Sequence, residues 1–72
     1  MKNVRKAILK AITEANKVVD ELDAERSALI VGDNKGMTEL EFDFKLECID
    51  SERALARRIV SELYDVLGNT PA

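Results

Sequence analysis

Seventy-two residues carry eleven basic and fourteen acidic side chains, one cysteine, one proline and no histidine, for a net charge of −3. This excludes an intrachain disulfide and an ordinary zinc site, and it bounds the chain to one small domain. A core of this size leaves no more than ~3–5 kcal/mol of net stability unless a partner or staple adds to it.

Residues 2–23 have the pattern of a long helix. Val4, Ile8, Ala11, Ala15, Val18 and Leu22 recur at spacings of three and four, with Ala7, Ile12 and Val19 alongside. Glycine and proline are absent, and good helix formers dominate. The stripe is rich in alanine, so another element can approach it closely.

Residues 26–32 (RSALIVG) read as a short apolar strand. Asp33-Asn34-Lys35-Gly36 reads as a hairpin loop, with Gly36 free to take positive φ. The stretch TELEFDFKLEC, within residues 37–48, alternates strictly. Leu40, Phe42, Phe44, Leu46 and Cys48 fall on one side, and Glu39, Glu41, Asp43, Lys45 and Glu47 on the other. Such a period of two predicts a half-buried strand. With a loop of Asn34-Lys35-Gly36, Leu29 and Val31 face outward among the carboxylates. With Asp33 in the loop they turn inward, because a slip of one residue exchanges the faces.

Asp50-Ser51 offers an N-cap for a second helix, about 51–67, with Glu52 in its first turn. Leu55, Ala56, Ile59, Val60, Leu63, Tyr64 and Leu67 line one face of it. Gly68 stops it, and residues 68–72 form a short tail containing Pro71. No internal repeat or linker stands out.

The expected architecture is therefore α+β, helix–β-hairpin–helix (α-β-β-α). Both helices cover the apolar face of one antiparallel hairpin in two layers. A two-stranded sheet is weak on its own, and two chains can join theirs into one of four strands. The element order is similar to that of small phage head–tail joining proteins, with no shared residue motif. Small size, an acidic sheet face and the lack of catalytic groups also resemble phage-encoded inhibitors, anti-CRISPR proteins among them.

Charge is unevenly placed. Residues 1–17 hold five basic side chains and one acidic, whereas residues 18–72 hold six basic and thirteen acidic, a net −7. Lys2, Lys6, Lys10 and Lys17 share one side of the first helix, and its far end carries Asp20, Glu21, Asp23 and Glu25. That order opposes the helix dipole, so a factor other than the helix's own stability is expected to set it. An acidic partner, a second copy or the chain's own hairpin would each serve.

The function this pattern suggests is a non-enzymatic protein-binding module of phage-inhibitor type. Its outer hairpin face would present Glu39, Glu41, Asp43 and Glu47 to a partner with a basic surface. The alternative is a structural or self-assembling subunit, a homodimer or a ring of the phage-connector kind. Lys2, Lys6, Lys10 and Lys17 form a second candidate surface. Nucleic-acid binding through it is disfavoured by the acidic remainder, a pI of 4.9 and the want of a stacking platform.

No catalytic residue, metal ligand or cofactor is suggested. General acid–base chemistry lacks histidine, and Cys48 on the apolar face reads as a small buried hydrophobe rather than a nucleophile. No apolar run approaches the ~18 residues of a membrane span. No signal-peptide core opens the chain, and a lone cysteine fits a reducing compartment. A cytoplasmic protein with no membrane partner is expected.

Overall fold

The computed structural model describes residues 2–32 and 35–71. It contains two helices, α1 (Lys2–Val31) and α2 (Glu39–Gly68), packed against each other as a hairpin. No strand occurs among the described residues. The α+β architecture and its β-hairpin are therefore overturned. So is the resemblance in element order to head–tail joining proteins, which rested on that hairpin.

The first helix does not stop near residue 23 but runs through the expected strand 26–32 to Val31. The second begins twelve residues before Ser51 and absorbs the expected strand 37–48. Asp50-Ser51 is helix interior, not a cap. Gly36 does take positive φ, +80°, but in a turn between helices. Asp33 and Asn34 of the expected loop lie outside the described residues.

The physical reason is a heptad seam that overrides the local alternation. In α1, Ile8, Ile12, Ala15, Val19, Leu22, Arg26 and Leu29 follow one another at spacings of four and three. In α2, Phe42, Leu46, Ile49, Arg53, Ala56, Val60, Leu63 and Leu67 do the same. Each of these positions is buried or half-buried. Such a pattern specifies packed helices. The alternation of residues 38–48 supplies the seam only through Phe42 and Leu46. Leu40 and Phe44 stay 80% and 68% exposed.

Local signals agree with the long helices. Residues 2–31 and 37–67 contain neither glycine nor proline. Thr38 is the N-cap of α2, and its hydroxyl accepts the Glu41 amide at 3.2 Å. Thr38-Glu39-Leu40-Glu41 is the sequence of a capping box, with Glu39 and Glu41 placed to favour the positive end of the helix dipole. At the other end, the Asn69 backbone and side-chain amides donate to the Asp65 carbonyl, and the Thr70 hydroxyl donates to Val66. The Arg5 guanidinium adds bonds to the carbonyls of Leu67 and Thr70 at 3.5 and 3.4 Å. A cation from α1 thus caps α2, whose own last turn has none.

That contact gives one basic residue at the start of α1, Arg5, a role outside its own helix. In an antiparallel pair the start of α1 lies beside the negative end of the α2 dipole. The acidic residues Asp20 to Glu25 lie six or more positions before Val31, where α1 ends, and Asp23 is met by Arg53 from the middle of α2.

A motif absent from the reading of the sequence fixes the register. Asp23-Ala24-Glu25-Arg26 and Asp50-Ser51-Glu52-Arg53 repeat D-x-E-R on the two helices. The motifs cross-pair. Arg26 Nε reaches Asp50 Oδ1 at 2.7 Å, and Arg53 Nε reaches Asp23 Oδ1 at 2.5 Å. Both arginines occupy seam positions, so sliding one helix by a turn would separate charge pairs as well as apolar layers.

The molecule is a rod of 53 × 15 × 12 Å. Its radius of gyration is 16.3 Å, against about 11 Å for a compact domain of this length. Its core consists of Ile12, Leu22, Leu29, Ile49 and Ala56, flanked by half-buried seam residues.

Candidate functional site

Two helices bury one stripe each, but these helices are apolar over more than one stripe. Seven-residue steps carry Val4, Ala11 and Val18 along the flank of α1, and Ile59 and Val66 along the flank of α2. Val18, Leu55 and Ile59 are 46%, 59% and 44% exposed. With Leu22 and Ala56 at its floor, this flank forms an open apolar groove of about 290 Å³, rimmed by Glu21, Glu25 and Glu52. A second depression shares Glu25 and continues toward the turn past Ala28, Leu29, Lys45 and Ile49. The groove follows one side of the hairpin, where the same flanks of two antiparallel helices meet.

Its middle is the middle of the molecule. Val18 and Leu55 are each the seventeenth residue of a thirty-residue helix. Glu25 and Glu52, the glutamates of the two D-x-E-R motifs, stand together on its rim toward the turn. The salt bridges among the described residues join Arg26 to Asp50, Arg53 to Asp23 and Asp50, and Arg58 to Glu62. None involves the rim glutamates or Lys2, Lys6, Lys10 and Lys17.

Glu39, Glu41, Asp43 and Glu47 are all exposed, on the first turns of α2. They do not share a sheet face. Glu39, Asp43 and Glu47 follow at intervals of four along one side of the helix, while Glu41 points about 120–160° away from them at 100° per residue. Their density at a helix start has a local cause, the dipole and the Thr38 cap.

Lys2, Lys6, Lys10 and Lys17 do share one side of α1, within an arc of about 80° at 100° per residue. All four are exposed. Cys48, expected to be buried, is exposed on α2 beside Phe44, Glu47, Ser51 and Glu52. Tyr64, expected at the core edge, is also mostly exposed.

The described residues contain no group of His, Cys, Asp and Glu side chains able to hold a metal ion. Among them no helix is long and apolar enough to cross a membrane. The groove is the feature that sequence reasoning missed. Its signal was present in Leu55 and Ile59, which lie off the heptad seam of α2 yet are apolar. Comparison with known protein families, curated proteins and solved structures finds no match for this chain.

Proposed function

We propose that the protein is a non-enzymatic helical interaction module that binds through the apolar groove between α1 and α2. The observation that carries this reading is the joint exposure of Val18, Leu55 and Ile59 at mid-length, over the core residues Leu22 and Ala56. Contiguous exposed apolar surface with a charged rim has the composition of a protein interface. A groove between two helices fits a third helix or a helix pair, with side chains at three- and four-residue spacing entering it.

The acidic turns of α2 become the secondary surface in this reading. Glu39, Asp43 and Glu47 would steer a basic partner without forming its main contact. An inhibitor and an assembly subunit both belong to this class of function.

A photo-crosslinking residue at Leu55, with a control at Ser61 on the outer side of α2, tests the reading in the cells that produce the protein. A discrete adduct at Leu55 and none at Ser61 is expected. Equal labelling, or none at either position, would refute it.

A further inference from the structure

We infer that the groove is covered by a second copy of the same chain, laid antiparallel to the first to form a four-helix bundle. The inference rests on the reading of the groove as an interface and names its occupant.

Three observations carry it. The first is area. The chain exposes 5534 Å², whereas a compact monomer of its 8.0 kDa mass exposes about 4,450 Å². The excess, roughly 1,100 Å², exceeds the ~800 Å² per partner of a standard stable interface. The second is position. The groove is centred on Val18 and Leu55, both at mid-helix. A two-fold axis through that point lets two rods overlap along their whole length, each giving the same patch.

The third is charge, and it sets the direction. Folding the chain brings residues 18–53 to the turn half, with eleven acidic and four basic side chains, net −7. The remaining residues form the open half, with seven basic and three acidic, net +4. A parallel pair would stack −7 on −7 and +4 on +4. An antiparallel pair sets each half against its complement.

Packed helices lie ~8–10 Å apart, about one Debye length at physiological salt, so facing halves interact while distant ones are screened. The open half holds few carboxylates, and two of them, Glu14 and Glu62, lie within one helical turn of basic residues in sequence. Lys10 and Lys17 lie four and three residues from Glu14, and Arg58 bonds Glu62. The rim glutamates of the turn half have no partner among the salt bridges of the described residues. They are placed to meet lysines of the other copy.

The test is cross-linking of the full chain in a Cys48→Ser background with a short bismaleimide. Val18→Cys sits beside the proposed axis and is expected to link into dimers. Val4→Cys lies fourteen residues away, so two copies of it would be ~40 Å apart in the antiparallel pair and side by side in a parallel one. It is expected not to link. Linkage at Val4→Cys, or at neither position, would overturn the inference.

A Lys10→Glu/Lys17→Glu variant serves as the second arm, since neither lysine lines the groove. It is expected to weaken self-association about tenfold or more with unchanged helicity. Unchanged association would overturn the charge argument. The Leu55 photo-adduct separates this inference from the broader one. An adduct of twice the chain mass supports both. An adduct of another mass keeps the interface and refutes the second copy.

Discussion

Truncating Leu29 and Leu40 to alanine gives opposite outcomes for a helical hairpin and for the sheet that the local pattern suggests. Leu29 is 2% exposed at the seam, whereas Leu40 is 80% exposed on the first turn of α2. In a sheet with the shorter loop, Leu40 is core and Leu29 lies outside. Removing a fully buried leucine side chain costs ~2–5 kcal/mol, depending on how far the site collapses. A two-helix layer can close partly over the gap, which places Leu29→Ala at ~2–3 kcal/mol. For a domain of this size that is a fall in Tm of roughly 10–20 °C.

Leu40→Ala removes little buried surface and introduces a better helix former, so its effect stays within ~0.5 kcal/mol. Thermal melts followed by far-UV circular dichroism measure both. Equal destabilisation of the two variants, or a larger loss for Leu40→Ala, would refute the seam.

Thr38→Ala removes the acceptor for the Glu41 amide and is expected to cost ~1 kcal/mol in the same melts. Gly36→Ala forces a β-carbon into positive φ and is expected to cost ~1–2 kcal/mol, although the site is open around it. Asp23→Ala and Arg53→Ala, singly and together, should give a coupling energy of ~0.5–1 kcal/mol that shrinks with salt. The pair is only half shielded, so a larger value is not expected.

The helical character of residues 2–23 and 51–67 was legible because both show a clean apolar period and good helix formers. The positive φ of Gly36 was legible from turn chemistry, and the end of α2 to within a residue, since the helix includes Gly68 and is capped by Asn69. The helical stretches between were hidden by two arginines. Arg26 and Arg53 occupy seam positions where an apolar residue is expected, so each stripe breaks off early in the sequence. What remains, SALIV and the alternating TELEFDFKLEC, imitates strands.

Only the partners of those arginines reveal the seam, and Asp23 and Asp50 lie on opposite helices, far apart in the chain. The Thr38–Glu41 capping box was a local sign that the second helix starts there, but the alternation outweighed it. The reversed charges of α1 were legible as an anomaly. The contacts that Arg5 and Asp23 make with α2 required knowing that α2 returns alongside.

Of the candidate surfaces, the lysine stripe was legible as geometry, since helical spacing alone places Lys2, Lys6, Lys10 and Lys17 on one side. The acidic face was tied to a strand and dissolved with it. The groove was not legible, because it depends on which apolar residues the seam leaves over. Val18 belonged to the expected core stripe of α1, and Leu55 and Ile59 to that of α2. Of these broad stripes packing covers Val19, Ala56 and Val60 and leaves Val18, Leu55 and Ile59 outside.

Sedimentation equilibrium of the unmodified chain, at low and at moderate salt, bears most directly on the claim that this rod is half of an antiparallel bundle. A mass of twice 8.0 kDa at micromolar concentration, with dissociation favoured by added salt, is the expected result. A mass of 8.0 kDa persisting to high micromolar concentration at low salt would contradict it.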